Sequence, residues 1–459
     1  MIMPEHIHFV GIGGISMSGI AEILLRQGHQ VSGSDLEDSH LLEGLRRSGA
    51  MIYLGHQQGN VAGADLVVRS SAIPLDNPEL IAAEEQGIPI IKRAQMIARL
   101  MEGKQGIAIS GTHGKTTTTS MVSTILTAGR LDPVILIGGE LNTIGGNAHL
   151  GRGNFFVTEA DESDGSFLYF NPQVLVVTNI EMDHHDFYQS NQQLISAFQG
   201  FLNNLPEDGK AIVYAEDQLL FSLIDPDDPR YFTYGIEQGI LRAIDIKLLP
   251  FGSFFTLVYK ETVLGEINLQ IPGKHNILNA LAAIAVAMTT GLEFGQIKKG
   301  IEQYTGVNRR FEKKGLIGDI LVVDDYAHHP TEIKATLKAA LNTGYERIIA
   351  VFQPHRYSRT KFLLREFAQS FDQVDHLIIT DIYGAGEKPT PGVSSEELAR
   401  LIAKNKGNRV DFIAHLEDIV NYLPEIIKSR DLIITIGAGD VYRVGELLLE
   451  RMKKQKEMA

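Results

Sequence analysis

The stretch Ile107–Ser120, with the sequence IAISGTHGKTTTTS, decides the fold of the central part of the chain. A short apolar run comes first, a glycine-containing loop follows at residues 110–116, and helix-compatible residues continue from Thr117 to Leu126. This order predicts a strand, a loop and a helix. Such a loop directs backbone N–H groups and the positive end of the helix dipole at one point, where a phosphate chain can bind. Lys115 can then contact the outer phosphates, and the Thr116 hydroxyl can bind the accompanying Mg²⁺.

The match to a standard phosphate-binding loop, or P-loop, is incomplete, because Ile109 stands where the pattern has its first glycine. A tight strand-to-helix turn with a surface lysine is the structural alternative. The glycines, the lysine and the threonine all follow an apolar strand in register, which favours phosphate binding. The residues predicted to hold the nucleotide at this loop are Gly111, Thr112, His113, Gly114, Lys115, Thr116 and Thr117.

Composition restricts the classes of protein to which the chain can belong. Its 459 residues are enough for about three domains, and without cysteine neither a disulfide nor thiol chemistry is expected. The formal net charge of −14 argues against a general surface for nucleic acid or anionic membranes. Apolar stretches such as residues 280–288 are far shorter than a membrane span. We therefore expect a cytoplasmic protein without nucleic-acid partners or membrane insertion; a monomer and a homodimer both stay open.

Residues 1–103 alternate short β-like runs with helix-length segments, which predicts a parallel, doubly wound sheet. Ligands of such sheets bind at the carboxyl ends of the strands. The groups expected there are small or polar and can approach a sugar, a diphosphate or a base. They are Gly11, Gly13, Gly14, Asp35, His56, Ser70 and Ser71.

The loop that contains Gly11, Gly13 and Gly14 also begins like a dinucleotide-binding fingerprint. Gly11 and Gly13 have the correct spacing, and Asp35 stands where an acidic residue could bind a ribose. Ser16 occupies the position of the third glycine, so the fingerprint is broken. The sequence favours a nucleotide-linked sugar diphosphate, and NAD stays open as the alternative.

Two strand ends in the central region carry carboxylates and imidazoles. Glu159 directly follows an apolar strand beside the P-loop, where a second Mg²⁺ ligand is expected. The acidic residues after it could instead be a solvated loop. The density of side chains after both strands suggests a metal or phosphate site. The groups are Asp161, Glu162 and Asp164 after the first strand, and Asn179, Glu181, Asp183, His184, His185 and Asp186 after the second.

From Ile240 to Ile271 the sequence changes to a two-residue alternation, which predicts an antiparallel excursion. An Ala-rich segment, Ile277 to Met288, then reads as a buried helix. Asn276 and Asn279 are three residues apart on one face of this helix, and their amides suit the edge of a purine. Capping of the helix by Asn276 is the alternative.

The complete pattern predicts an α/β fold with three domains. A Rossmann-like N-terminal domain occupies residues 1–103, and a central P-loop ATPase-type domain, with a parallel sheet and an antiparallel excursion, occupies residues 104–306. A Rossmann-like C-terminal α/β domain occupies residues 307–459. Clusters of positive charge that could hold an anionic ligand lie at Arg309-Arg310 and at Arg356, Arg359 and Lys361.

These motifs together resemble the Mur ligase family. The central loop alone is shared with folylpolyglutamate synthetases, whereas the N-terminal loop and the last motif resemble the branches that act on UDP-N-acetylmuramate. The last motif is closer to the alanine-adding branch than to the murein tripeptide ligases, in which it resembles Glu-Pro-Arg-Ser-Asn. The motifs are GIGGISMSGIA at 11–21, GTHGKTTT at 111–118, TEADE at 158–162, TNIE at 178–181 with Asp183-His184, GKHN at 273–276, NRRF at 308–311, DDYAHHP at 324–330 and QPHRYSRT at 353–360.

The resemblance implies an ATP-dependent ligase that joins L-alanine to the lactyl carboxylate of UDP-N-acetylmuramate through an acyl phosphate, early in cytoplasmic peptidoglycan synthesis. It implies that Lys115 stabilises charge on the γ-phosphate, that Thr116 and Glu159 bind one Mg²⁺, and that His184 binds a second. The other implied contacts are His275, Asn276 and Asn279 at adenine, Asp325 at the ribose, Arg310 at the phosphates, Met17 and Ser18 at the UDP-sugar, and Tyr326, His328, Arg356 and Arg359 at alanine and the muramyl end.

Three other readings stay open. The nearest is a murein tripeptide ligase of cell-wall recycling, or a folate-type ligase with the same central loop. A protein that closes over a UDP-sugar when it binds ATP, without turnover, is a second. The third is a nicotinamide oxidoreductase built on the N-terminal glycine loop, but it leaves the P-loop unexplained.

Overall fold

The structure, a computed structural model, describes residues 5–141, 144–185, 187–406 and 409–458, so Asp186 of the predicted acidic cluster lies outside the described residues. The chain falls into two compact units. The first unit consists of the chain up to Ile180 together with Leu194–Arg242 and Asn279–Ile301, and the second consists of Glu181–Gln193, Ala243–Leu278 and the chain from Glu302 onward. Among the described residues, no helix has both the length and the apolar character needed to cross a bilayer.

The N-terminal part of the first unit forms a parallel sheet, as predicted. Its strands are β1 His6–Val10, β2 Gln30–Asp35, β3 Met51–Leu54, β4 Leu66–Arg69 and β5 Ile90–Lys92. Its helices are α1 Ile15–Arg26, α2 His40–Arg47, α3 Pro78–Glu85 and α4 Arg93–Met101. The strand order β3-β2-β1-β4-β5 reverses direction between β1 and β4. Open α/β sheets bind ligands at such a switch point, which here lies between the loops that follow these two strands.

The central region provides a second set of elements. The strands are β6 Gln105–Ser110, β7 Val134–Leu141, β8 Gly146–His149, β9 Phe155–Glu159, β10 Val174–Val177, β11 Lys210–Tyr214, β12 Tyr231–Gly235, β13 Leu241–Leu249, β14 Gly252–Tyr259 and β15 Thr262–Leu269. The helices are α5 Lys115–Ala128, α6 Asn191–Asn203, α7 Gln218–Phe221, α8 Lys274–Thr289 and α9 Phe294–Glu302. In the first unit the strand order is β12-β11-β10-β6-β9-β7-β8. The strand that leads into the P-loop, β6, therefore lies in the interior of the sheet and not at its edge.

Two hairpins interrupt the parallel pattern. The pair β14 and β15, in the second unit, is antiparallel, which confirms the predicted excursion between Ile240 and Ile271. The pair β7 and β8, in the first unit, is also antiparallel but was not predicted. The sequence of β8, GNAH, has neither β-branched residues nor a polar and apolar alternation, so nothing local identifies it as a strand.

Helix α5, which follows the P-loop, is buried although its first half is rich in threonine. The side chains from Thr117 to Leu126 are all buried. Several hydroxyl groups donate to the carbonyl oxygen four residues earlier, as Ser123 does to Thr119 at 2.7 Å and Thr124 does to Ser120 at 2.8 Å. Local bonds of this kind satisfy buried hydroxyl groups without a distant partner. The polar sequence is therefore compatible with a position inside the domain.

The C-terminal part of the second unit contains the third sheet. Its strands are β16 Glu312–Ile317, β17 Ile320–Asp325, β18 Arg347–Phe352, β19 His376–Ile379, β20 Arg409–Phe412 and β21 Asp431–Ile436. Its helices are α10 Pro330–Leu341, α11 Tyr357–Phe362, α12 Leu364–Phe367, α13 Ser395–Lys406, α14 Leu416–Ile426 and α15 Tyr442–Met458. The strand order is β16-β17-β21-β18-β19-β20, and only the edge strand β16 is antiparallel within the described sheet. Separate apolar clusters cover its two faces.

Candidate active site

The P-loop connects β6 to α5 and is bonded to the residues that follow β10. The backbone N–H of His113 donates to Asn179 Oδ1 at 2.9 Å. In return, Asn179 Nδ2 and Thr178 Oγ1 donate to the carbonyl oxygen of His113 at 3.0 and 2.6 Å. These bonds fix the conformation of the loop, so its N–H groups are oriented before a ligand binds.

Two glycines of the loop stand where no other residue fits. Gly111 and Gly114 have φ angles of 124° and 85°. A Cβ atom on Gly111 would lie 2.1 Å from Thr178 Oγ1, and one on Gly114 would lie 2.5 Å from Asn279 Oδ1. Asn279, the residue expected at adenine, therefore packs against the start of α5, where Thr118 Oγ1 donates to its Oδ1 at 3.4 Å. Contact with adenine remains a prediction.

Lys115 is held by the loop and by Glu162. Its Nζ donates to the carbonyl oxygens of Gly111 and Thr112 at 2.6 and 3.2 Å, and to the two carboxylate oxygens of Glu162 at 2.9 and 2.8 Å. Burial alone would lower the pKa of Lys115, but the negative charges of Glu162 and Asp161 raise it above its usual value. The ammonium group is therefore charged, with Glu162 as its counter-ion.

This role of Glu162 was not predicted, because in the sequence Glu162 is one of several neighbouring acidic residues that could form a solvated loop. The structure buries its side chain to 1% exposure. The other two acids of the run make weaker contacts. Asp161 lies 3.5 Å from the guanidinium of Arg93, and Asp164 accepts from the backbone N–H of Ser166 at 3.0 Å.

Thr116 and Glu159 provide a hydroxyl group and a carboxylate beside the loop. Thr116 Oγ1 donates to Glu159 Oε2 at 3.2 Å, and the N–H of Gly138 donates to Glu159 Oε1 at 2.7 Å. Glu159 is the last residue of β9, as predicted, and burial raises its pKa. Oxygen ligands of these two kinds are those that Mg²⁺ prefers, and a cation here would offset the cost of burying the carboxylate. The pair therefore fits the metal that the sequence predicted for it.

The residues predicted at the UDP-sugar surround the switch point of the first sheet. Asp35, at the end of β2, accepts from the N–H of Gly13 through Oδ2 at 2.8 Å and from the N–H of Leu36 through Oδ1 at 2.8 Å. A Cβ atom on Gly13 would lie 2.8 Å from the same Oδ2. Asp35 thus fixes the glycine loop, a role that requires no dinucleotide. The acidic residue at position 35 is therefore no longer an argument for NAD.

Two other residues of this group are buried in helix α1. Met17 is 1% exposed. The Ser18 hydroxyl donates to the carbonyl oxygen of Ile15 at 2.9 Å and accepts from Asn147 Nδ2 at 3.3 Å. Their burial favours support of the glycine loop over direct contact with a ligand. Gly11, His56, Ser70 and Ser71, in contrast, keep part of their surface exposed.

In the second unit, Arg359 forms a bidentate pair with Asp183. Arg359 Nε and Nη2 donate to the two carboxylate oxygens at 2.8 and 3.0 Å, and Nη1 lies 3.1 Å from His355 Nδ1. The two side chains are only 7% and 5% exposed. Burial alone would raise the pKa of Asp183, but the charge and hydrogen bonds of Arg359 hold it well below its usual range. A small cavity next to the pair is lined by Asp183, His184, His185, Arg356, Ser358 and Arg359.

Neutral histidines accompany this pair. Burial lowers the pKa of His328 to about 4 and that of His355 to about 3. The two rings are 5.8 Å apart, and the His355 ring stacks on Tyr383 at 5.7 Å. Because both rings are neutral, the positive charge beside this cavity comes from Arg356 and Arg359, and that of Arg359 is balanced by Asp183. His184 Nε2 lies 3.7 Å from Asp183 Oδ2, and the His185 ring stacks on Phe362 at 4.5 Å.

In the second unit, most of the residues that were predicted to contact the nucleotide form hydrogen bonds with backbone groups. Asn276 Nδ2 donates to the carbonyl oxygen of Pro272 at 2.7 Å, and α8 begins two residues before Asn276. This geometry argues against the helix cap that was the alternative for Asn276, because a capping side chain accepts a hydrogen bond instead. Burial lowers the pKa of the neighbouring His275 to about 4.

Asp325 and Arg310 lie on the strand end and loop that were predicted for the ribose and the phosphates. The carboxylate of Asp325 accepts from the N–H groups of Phe311 and Ala327, both at 2.8 Å, and burial raises its pKa to about 6. The Arg310 guanidinium lies over the Tyr326 ring at 5.1 Å and 3.7 Å from Glu332. Contact of these residues with a nucleotide remains a prediction.

Family models match the chain in three consecutive segments. They are described as the Mur ligase family catalytic domain at residues 6–105, the Mur ligase middle domain at 109–287 and the Mur ligase glutamate ligase domain at 309–439. The chain belongs to the Mur ligase family. Two curated relatives, the UDP-N-acetylmuramate–L-alanine ligases of Geotalea uraniireducens and Trichlorobacter lovleyi, are each 51% identical to this chain. The alignments cover 98% of this chain and 98% and 99% of the relatives.

Solved structures of Mur ligases have the same fold. The UDP-N-acetylmuramate-alanine ligase of Thermotoga maritima matches with a TM-score of 0.84 at 30% identity, over 98% of this chain and 99% of the other. A murein peptide ligase of Psychrobacter arcticus matches with a TM-score of 0.72 at 25% identity, over 97% and 98%. The prediction of a three-domain α/β protein is confirmed by these matches and by the three sheets of the described chain.

Proposed function

We propose that this Mur ligase joins L-alanine to the lactyl carboxylate of UDP-N-acetylmuramate at the expense of ATP, an early step of peptidoglycan synthesis. The observation that carries the proposal is the P-loop, whose charged Lys115 and adjacent Thr116 and Glu159 suit phosphoryl transfer. The choice of substrates is supported by curated relatives with this activity in their names, which are 51% identical over 98% of the chain.

A carboxylate is a poor acylating agent, so the reaction requires activation. A lactyl carboxylate oxygen attacks the γ-phosphorus of ATP, the bond from phosphorus to the bridging oxygen breaks, and ADP leaves. The amine of alanine then attacks the acyl carbon and loses a proton, and inorganic phosphate leaves with the former carboxylate oxygen. Lys115 donates hydrogen bonds to the transferring phosphoryl group, where negative charge develops. The N–H groups of the fixed P-loop position the phosphate chain for this attack.

The proposed cofactor is Mg²⁺, which neutralises charge on the β- and γ-phosphate oxygens when it is bound. Thr116 and Glu159 would hold one ion, and His184 would hold a second. Because Arg359 already balances the charge of Asp183 beside His184, the support for this second ion comes from the family resemblance.

The proposal divides the work among three domains. Residues 1–103 bind the UDP-sugar, residues 104–306 bind ATP, and residues 307–459 hold the amino acid and complete the nucleotide site. Arg356 and Arg359 offer planar donors to the carboxylate of alanine or to the muramyl end. Because ATP and UDP-sugars are cytoplasmic metabolites, we place the enzyme in the cytoplasm, as a monomer or a homodimer.

A murein tripeptide ligase is the second candidate, since such a protein has the same fold. The sequence argument against it was the last motif, which begins Gln-Pro-His-Arg-Tyr at 353–357 and not Glu-Pro-Arg-Ser-Asn. In the structure Gln353 Nε2 donates to Asp440 Oδ1 at 2.8 Å, and its Oε1 accepts from the N–H of Val441 at 3.2 Å. Gln353 therefore anchors its loop, and selection of the amine is assigned to the later residues His355 and Arg356.

The function is tested by release of phosphate from ATP. We expect rapid release only when UDP-N-acetylmuramate and L-alanine are both present, and background release when either is omitted. Glycine and L-serine, tested in parallel, measure the strictness for alanine. ATP binding without release under all of these conditions would instead indicate a nucleotide-gated binding protein, and consumption of NADH would indicate an oxidoreductase.

A further inference from the structure

A buried carboxylate lies beneath the proposed UDP-sugar site. Glu79, the second residue of α3, has no exposed surface. Its carboxylate accepts from Ser34 Oγ and Asn60 Nδ2, each at 2.5 Å, and from the N–H of Gln57 at 3.3 Å. None of the sequence motifs and none of the reaction steps above uses this residue.

Two histidines also contact Glu79. His8 Nε2, from β1, lies 3.6 Å from Glu79 Oε2, and the ring of His8 is fully buried next to Tyr53. His56 Nδ1, after β3, lies 3.3 Å from the same oxygen, and the His56 side chain is 11% exposed. His56 also lies 2.9 Å from Ser34 Oγ. Glu79 is therefore connected to a histidine at the carboxyl edge of the sheet, where the UDP-sugar is expected.

The charge on Glu79 requires compensation. Burial alone would raise its pKa, but contacts with His8, Ser34 and Asn60 lower it to about 2, so the carboxylate is ionised at neutral pH. A buried anion is costly unless a positive group accompanies it. In the described chain, the titratable groups in contact with this carboxylate are His8 and His56, and its other partners, Ser34, Asn60 and the N–H of Gln57, carry no charge. His8, which is more deeply buried than His56, and the neutral donors therefore hold the carboxylate in its ionised form.

The hydrogen bonds also define the orientation of His56. The Ser34 hydroxyl has one proton and donates it to Glu79, so its oxygen accepts from Nδ1–H of His56. This leaves Nε2 as the free polar atom of the ring. Nε2 is then the ring atom that can contact a ligand, and the bond at Nδ1 fixes its direction.

We propose that Glu79 is a positioning residue for the UDP-sugar, which acts through Ser34 to fix the His56 ring so that Nε2 contacts the ligand. The inference rests on the proposed function, because it takes UDP-N-acetylmuramate as the ligand. Loss of the Glu79 carboxylate releases the His56 ring and weakens binding of the UDP-sugar.

The test compares the full-length wild type with Glu79→Gln at saturating ATP and L-alanine. At pH 7.5 we expect the KM for UDP-N-acetylmuramate to rise by about tenfold or more, with kcat and the KM for ATP changed by less than about twofold. The matched control is Glu85→Gln, which removes an exposed carboxylate from the same helix and should behave as wild type. An unchanged KM in folded Glu79→Gln overturns the proposal.

A second readout does not depend on turnover. The ring ¹⁵N signals of His56, identified in NMR spectra by their loss in His56→Gln, should report a hydrogen-bonded Nδ1–H in the wild type and change in Glu79→Gln. The double variant His56→Gln/Glu79→Gln should have the same KM as His56→Gln alone, because the two residues act as one unit. Unchanged ring signals of His56, or additive KM effects, contradict the proposal.

If the Glu79→Gln variant does not fold, the Ser34→Ala variant is tested in its place. It keeps the carboxylate and removes the link to His56, so we expect a smaller rise of the same KM and changed ring signals of His56. Failure of the proposed function is recognised separately. In that case the wild type does not turn over UDP-N-acetylmuramate at all, and the NMR signals alone decide whether Glu79 fixes the His56 ring.

Discussion

Lys115→Ala is expected to lower kcat by about 10³-fold or more, because it removes the donor that stabilises charge on the transferring phosphoryl group. The structure adds a second expected effect. Glu162, buried to 1% exposure, loses its counter-ion, which destabilises the protein as an unpaired buried charge does. Steady-state phosphate release and the melting temperature measure the two effects separately.

The double variant Lys115→Ala/Glu162→Gln distinguishes catalysis from stability. It removes both charges of the pair, so we expect its melting temperature to recover most of the loss while kcat stays at the level of the single variant. If Lys115→Ala keeps more than a tenth of the wild-type activity, the P-loop does not carry out phosphoryl transfer.

Asp183→Ala is expected to lower the free energy of unfolding by about 3–5 kcal/mol, because it leaves the buried guanidinium of Arg359 without its carboxylate. The pair is bidentate and less than one-tenth exposed on either side. Denaturant unfolding of the full-length wild type and variant measures the loss. The matched control is Glu396→Ala, which breaks an exposed i,i+4 pair with Arg400 and should cost less than about 0.5 kcal/mol.

The cause of the loss can be separated from general damage to the segment around Asp183. In Asp183→Ala/Arg359→Met both charges are absent, and we expect most of the lost stability to return. A single-variant loss below about 1 kcal/mol would mean that the pair does not hold this segment in solution. The arginine would then be available entirely to a ligand.

The sequence predicted those parts of the protein that depend on local patterns. An apolar strand followed by glycines, lysine and threonine was enough to place β6, the P-loop and α5, although α5 begins at Lys115 and not at Thr117. The five parallel N-terminal strands and the excursion that ends in β14 and β15 followed from hydrophobic periodicity in the same way.

Pairings between distant residues could not be predicted from local patterns. Asp183 and Arg359 are 176 positions apart, and Lys115 and Glu162 are 47 positions apart. In the sequence Glu162 is one acid among four, and nothing shows that it alone is buried against the lysine. Glu79 follows Asn77-Pro78 at the start of an ordinary helix, and its burial depends on strands β1 and β2, which are distant in sequence.

The most direct test of the account is a comparison of two amines with ATP and UDP-N-acetylmuramate as the other substrates. Phosphate release is measured with L-alanine and, in parallel, with the tripeptide L-alanyl-γ-D-glutamyl-diaminopimelate, and the product masses are determined. The account predicts a kcat/KM for L-alanine at least about tenfold higher than for the tripeptide, with UDP-N-acetylmuramoyl-L-alanine as the product. A higher kcat/KM for the tripeptide would contradict the account and identify the chain as the recycling ligase.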